Sequence, residues 1–144
     1  MLVQVILKSK ATSGVITIKP DASVSEAAKL LADNKFGSVV VSADGETPDG
    51  ILSERDIVRE LAASGSGCLD KPVSDYMTRK LVTCTSQSNV GQVLKQMTDG
   101  RFRHMPVVED EKLVGIVTLG DVVKAQLAQV AMEKDALQDM IMGH

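Results

Sequence analysis

Along the chain, β-branched runs alternate with amphipathic stretches, and the whole alternation occurs twice. The apolar run at 15–18 predicts a strand. After it, Val24, Ala27, Ala28, Leu30 and Leu31 share one face of a predicted helix reaching Asn34. Ser23 and Glu26 open that helix as a capping box. Two strands follow, at 38–42 and 50–52, joined by a turn rich in Asp, Gly and Pro, and Ser53 caps a second helix. From residue 81 the order returns. A strand is predicted at 81–84, a helix opened by Asn89 and Gln92, strands at 104–109 and 113–117 around a turn at 110–112, and a helix capped by Thr118.

The recurrence is a repeat in register. Thr17 maps to Thr83 at an offset of 66, and the same offset carries Val24 to Val90, Asp33 to Asp99 and Phe36 to Phe102. One residue is then lost in the turn. At an offset of 65, Gly50-Ile51 maps to Gly115-Ile116 and Asp56 to Asp121. Even the lead-in recurs, with V-Q-V-I-L-K-S-K at 3–10 in the place of V-S-D-Y-M-T-R-K at 73–80.

The expected fold is therefore α/β (α+β in its segregation), two β-α-β-β-α units packed sheet to sheet with pseudo-two-fold symmetry. A unit of about 60 residues buries only about 60% of its chain surface, so each needs the other. The first repeat spans 1–66 with a lead-in helix, the second 67–126 with the linker, and 127–144 forms a helical extension. The tract from Ser64 to Pro72, opening with Ser-Gly-Ser-Gly, reads as the linker.

Each unit ends in G-h-h-[ST]-x-x-D, where h is apolar: G-I-L-S-E-R-D at 50–56 and G-I-V-T-L-G-D at 115–121. A third string, R-H-M-P-V-V at 103–108, leads into a strand with a Pro-Val step. On these strings, and over about 3–125, the chain resembles a pair of cystathionine-β-synthase-type (CBS) domains, a Bateman module. The resemblance implies a cleft between the repeats where adenosine-containing ligands bind, and a homodimer.

Ser53, Asp56, Thr118 and Asp121 are the candidate ribose contacts. A carboxylate accepts both protons of a cis-diol, and a hydroxyl three residues earlier sits at the same helix N-terminus. The same spacing is also close to a plain capping box, so the residues alone leave both roles open. Arg103 and His104 are candidate phosphate contacts, Arg for its planar fork of donors. Arg101 joins them if strand alternation in R-F-R-H places it on the face of Arg103. Arg55, inside the first helix-start motif, is a further candidate. Gly37 and Ser38 stand where Arg103 and His104 stand, so this basic cluster occurs once. The resemblance adds Thr17, Thr83, Met105 and Pro106 as adenine contacts, through the backbone in the case of the two threonines.

Composition narrows the alternatives. In 144 residues the net charge is −3 and aromatics are 2%, which leaves neither a basic stripe for nucleic acid nor stacking platforms for bases. Cys68 and Cys84 form no C-x-x-C, so no structural zinc or other metal site is expected. Two free thiols suit a reducing cytoplasm. No apolar run is long enough to span a membrane, and 1–10 does not read as a secretory signal. Phosphate-loop, nucleophile-elbow, zinc-protease and dinucleotide-binding signatures are absent, and His104 and His144 are the only histidines.

The expectation is a non-catalytic sensor, with no prosthetic group, that binds AMP, ADP, ATP or NAD(H) and regulates another protein. The competing reading is a ligand-free dimerisation or interaction module. Its docking surface would be the stripe Val123, Leu127, Val130, Leu137 and Ile141, with Lys134 filling one position and Met132, Met140 and Met142 beside it.

Overall fold

The structure is a computed structural model that describes residues 1–10 and 15–143; His144 lies outside them. Ten helices and strands form along the described chain. They are α1 (Val3–Ser9), β1 (Thr17–Ile18), α2 (Val24–Asn34), β2 (Ser38–Val41), β3 (Gly50–Ser53), α3 (Glu54–Ser64), α4 (Val90–Gly100), β4 (His104–Glu109), β5 (Lys112–Thr118) and α5 (Leu119–Ile141). The doubled β-α-β-β-α order is present. In the first repeat, β1 runs parallel to β2 with Thr17 beside Val40, and β2 runs antiparallel to β3 with Val39 beside Leu52. In the second, β4 and β5 form a hairpin.

Two expected strands shrink, the first from 15–18 to Thr17–Ile18. At 81–84 only Cys84 pairs, forming a single parallel bridge to Val107. The Cys84 N–H donates to the Pro106 carbonyl at 3.0 Å and the Val108 N–H to the Cys84 carbonyl at 2.8 Å. Ile18 makes the matching bond in the first repeat, accepting from the Ser42 N–H at 2.9 Å. The linker is also more ordered than its glycines predict. It forms a 3₁₀ helix, Gly65–Asp70, because Cys68 is buried and Leu69 packs against the first repeat's core.

The compact units are not the two halves of the sequence. One holds α1, α4, α5 and most of the β4–β5 hairpin; the other holds β1 through α3, the segment on to Val82, and the hairpin tip Glu109–Val114. Each lead-in thus precedes one repeat in sequence and completes the core of the other. In the first repeat's unit, Val73 and Met77 join Ile18, Val24, Ala27, Leu31, Val39, Val41, Leu52 and Ile57. In the second repeat's unit, Val3 and Ile6, with Leu7 beside them, join Cys84, Val90, Val93, Met97, Met105, Val107, Val117 and Val122. The eight residues from each repeat are the same positions at the repeat offset. The fully buried residues of both cores are aliphatic or sulfur side chains, with Phe102 and Tyr76 packed half-buried against them.

The lead-ins dock through the same hydrogen bonds. Val3 N–H donates to Ser88 O and Gln4 N–H to Ser86 O, both at 2.9 Å, while Val90 N–H donates to Met1 O at 2.9 Å. Val73 N–H donates to Ala22 O at 2.8 Å, Ser74 N–H to Pro20 O at 3.1 Å and Val24 N–H to Lys71 O at 2.9 Å. Each also lays a side chain over the first glycine of a G-h-h-[ST]-x-x-D string. A Cβ on Gly50 would lie 2.6 Å from Met77 Sδ, and one on Gly115 2.6 Å from Leu7 Cδ2. The motif needs glycine there because the lead-in occupies the space of a side chain.

The two glycines differ in what blocks them. At Gly115 the obstacle is the end of a flexible side chain, which can turn aside. At Gly50 it includes the Thr78 carbonyl oxygen, 2.9 Å from the added Cβ and bonded to the Ile51 N–H. Gly50→Ala is expected to cost about 1–3 kcal/mol, in the range of an overpacked core. Gly115→Ala should cost measurably less, as read from urea unfolding midpoints at constant slope.

Candidate functional site

The strand-to-helix junctions β3–α3 and β5–α5 place the two motif hydroxyls and carboxylates. At each, an extended N-cap residue turns the chain into a helix and the third helical residue reaches back. Ser53 Oγ accepts from the Asp56 N–H at 3.2 Å, and Asp56 Oδ2 accepts from the Ser53 N–H at 2.9 Å. Thr118 Oγ1 accepts from the Asp121 N–H at 3.1 Å, and Asp121 Oδ2 accepts from the Thr118 N–H at 3.0 Å. Both are complete capping boxes, so the capping role left open by the spacing is observed. Each box employs one carboxylate oxygen for the cap.

The second oxygen differs between repeats. Asp56 Oδ1 accepts from the largely exposed Arg59 Nη1 at 3.2 Å. Asp121 instead takes its cation on Oδ2, the oxygen that already serves the cap. Lys10, one residue past α1, places Nζ 2.9 Å from Asp121 Oδ2 and donates to the Ile116 carbonyl at 2.7 Å. Asp121 Oδ1 has no partner among the described residues. Burial alone would raise the Asp121 pKa, but the Thr118 N–H and the Lys10 ammonium outweigh it and hold the carboxyl below its usual value.

The strand entering each junction is tied to the helix start. The Glu54 N–H donates to Gly37 O at 2.9 Å, and the Leu119 N–H to Arg103 O at 2.8 Å. Arg103, His104, Thr118 and Asp121 thus belong to one junction, and Ser38, Ser53, Arg55 and Asp56 to the other. The Arg103 backbone stands at the helix that carries Asp121.

Arg101 is not on a strand. It caps α4 in the left-handed region, φ 56°, and β4 begins only at His104. Strand alternation therefore does not align it with Arg103; the chain is still reversing out of the helix there. Lys35 caps α2 the same way, with φ 57°. Arg55, Arg101 and Arg103 are all exposed. The Met105 side chain is fully buried in the core, and the Pro106 carbonyl is taken by Cys84, which leaves little of either for a ligand except remaining main-chain groups. Thr17 is half-buried in β1, and Thr83 is exposed and outside any strand.

Two residues at these junctions escaped the sequence reading. Lys10 carried no motif. Ser38 did leave a trace, as a hydroxyl heading the apolar run Val39-Val40-Val41. It lies opposite Ser53 in the β2–β3 pairing and is 7% exposed, yet its Oγ has no hydrogen-bond partner among the described residues. A buried hydroxyl normally finds one, and leaving it unpaired costs about 1–3 kcal/mol. The orphan sits at the head of the junction where His104 sits in the second repeat.

The family model that matches the chain is the CBS domain, over residues 7–63 and 73–128. A crystal structure of a CBS-domain-containing protein from Agrobacterium tumefaciens superposes with a TM-score of 0.83 at 42% identity, covering 88% of this chain and 99% of that one. The CBS domain pair of protein MJ0100, solved in complex with 5′-methylthioadenosine and S-adenosyl-L-methionine, superposes with a TM-score of 0.76 at 28% identity, over 87% and 98% of the two chains. Among curated proteins, a mitochondrial CBS-domain-containing protein of Arabidopsis thaliana is 34% identical over 96% of this chain and 70% of its own length. No helix among the described residues is long and apolar enough to cross a membrane.

The Asp121 linkage has a definite sign. Folding favours the carboxylate, so its contribution is complete above the unfolded value near pH ~3.9 and is lost as pH falls through the lower folded value. Lys10→Met removes one of the lowering influences. The Asp121 midpoint, followed by carboxyl ¹³C chemical shift, is expected to move up in that variant, and stability is expected to begin falling at a higher pH than in the wild type.

Proposed function

Since the chain belongs to the CBS-domain family, and is built as a pair of such domains, we propose that it is a non-catalytic regulatory protein that binds an adenosine-containing ligand. The observation that carries this reading is the buried, unpartnered Ser38 hydroxyl beside the Ser53–Asp56 cap. A packed protein does not retain such a group without cost. A ligand hydroxyl or phosphate oxygen would satisfy it once the packing that closes over the Oγ opens on binding.

The rest of the two junctions fits the same chemistry. Ser53 and Asp56, and Thr118 and Asp121, would take ribose hydroxyls at helix starts that also favour negative charge. Arg103, with His104, Arg101 and Arg55, would take phosphate. Backbone groups near Thr17, Thr83, Met105 and Pro106 would read the adenine. The complex of MJ0100 with two adenosyl compounds supports the ligand class. AMP, ADP, ATP, NAD(H) and S-adenosylmethionine share the adenosine moiety. The chain would act as a homodimer on an unidentified protein. Two cysteines, both buried, fit a reducing cytoplasm.

Regulation requires that the ligand prefer one arrangement of the protein over another. The second reading, a ligand-free interaction module, is favoured by the exposed stripe on α5. Titration of purified protein with AMP, ADP, ATP, NAD, NADH and S-adenosylmethionine, followed by thermal unfolding, separates the two. A ligand at 100 times its dissociation constant stabilises by about 2.7 kcal/mol. Asp56→Asn or Arg103→Ala is expected to reduce that shift. Ser38→Ala gives the sharpest contrast. It deletes an unsatisfied buried group, so the unliganded protein should unfold at the same temperature or higher, while the ligand-induced shift shrinks. No shift with any of the six compounds would overturn the sensor reading.

A further inference from the structure

We infer that two copies of the chain pair through the outer part of α5 as an antiparallel two-helix seam centred on Met132. The inference deepens the homodimer reading and rests on it, but is independent of the ligand.

The helix outruns the family pattern and its own buried contacts. The family match ends at residue 128, while α5 continues to Ile141. Gln129 is the last residue tied to the body, accepting from the Met1 ammonium at 3.0 Å. From Val130 onward every described side chain is exposed. Residues 130–141 extend for about 18 Å at the α-helical rise. This stretch gains no stability from burial, since all of its side chains are exposed.

What it exposes is ordered. Val123, Leu127, Val130, Lys134, Leu137 and Ile141 recur at steps of four and three, the seam of a coiled coil. Leu127 is 65% exposed, Leu137 57% and Ile141 76%. Two copies sharing the seam would bury on the order of 1,000 Å² in total, the least that a specific interface requires.

The sequence of the seam selects a second copy and a direction. The six positions are symmetric about Met132, so an antiparallel pair places Val123 opposite Ile141, Leu127 opposite Leu137 and Val130 opposite Lys134. No seam residue is left over. A parallel pair would set Lys134 against Lys134 within the seam. The antiparallel pair lays each Lys134 stem over the partner's Val130 and lets the ammonium reach outward. It emerges beside a helix whose other charges in this stretch, Glu133, Asp135 and Asp139, are acidic.

Disulfide trapping reads the register directly, because a disulfide needs Cβ atoms about 4 Å apart. Leu127→Cys and Leu137→Cys proteins, made separately, mixed and oxidised, are expected to give a dimer with one of each, identified by the linked peptide in mass spectrometry. Neither protein alone should cross-link, and the buried Cys68 and Cys84 do not compete. Cross-linking of Leu137→Cys with itself would mean a parallel seam and overturn the inference. So would the absence of any cross-link. Light scattering on the wild type separates the causes. A monomer would overturn the homodimer as well, whereas a dimer without the mixed cross-link would mean that the copies meet through another face.

Discussion

The structure depends on the docking of a lead-in segment onto each repeat. A β-α-β-β-α unit of this size cannot close its own core, since too little of its surface is buried. Val73 and Met77 close one core, and Val3, Ile6 and Leu7 the other. Because each lead-in precedes one repeat and completes the other, the sequence cannot be cut between the repeats without opening both cores. The glycines of the two motif strings follow from the same docking, as they mark where the lead-in lies against the strand. The connection between lead-in and helix start follows too: Lys10, carried on the end of α1's segment, reaches the Asp121 carboxylate.

That coupling gives the second junction a property the first lacks. Among the described residues the cation that Asp56 meets is Arg59, from its own helix and mostly in solvent, where an ion pair contributes little. Asp121 meets a half-buried Lys10 from a different element, which also holds the Ile116 carbonyl. Any group that engages Asp121 must share the carboxylate with Lys10 or use the oxygen Lys10 leaves open. The docking of α1 and the chemistry of the junction are thus linked through one carboxylate, and Gly50→Ala and Lys10→Met perturb the two lead-ins by different physics, steric in one case and electrostatic in the other.

Much of this was legible beforehand because it is local. Capping residues Ser23, Asn89, Ser53 and Thr118 each accept the backbone N–H three residues on, but the reciprocal bond that completes a capping box forms at Ser53 and Thr118 and not at the expected Ser23–Glu26 pair. The periodicity of α2 correctly sent Val24, Ala27 and Leu31 inward, and the family resemblance followed from two strings whose strand–turn–helix setting was itself predictable. What failed was non-local or conformational. β-propensity at 81–84 suggested a strand, but a strand exists only where a partner runs alongside, and beyond Cys84 none does. Arg101 looked like a strand residue because sequence does not announce a left-handed helix cap when it is not glycine. The exchange of lead-ins was invisible, since Val3 and Val73 look alike and nothing local says which core each enters.

The repeat symmetry is strictest where the fold needs it and absent where chemistry would be done. Core positions, lead-in bonds, helix caps and the carbonyl that greets each motif helix all repeat, down to left-handed φ values of 57° and 56° at Lys35 and Arg101. At the head of the second strand the copies part: an unpartnered Ser38 in one, Arg103 and His104 in the other. Folding does not require the difference, because the backbone bonds from Gly37 and Arg103 to α3 and α5 are the same. The duplicated scaffold keeps its packing identical while giving one junction a buried hydroxyl and the other Arg103 and His104, so the two junctions share a fold and differ in chemistry.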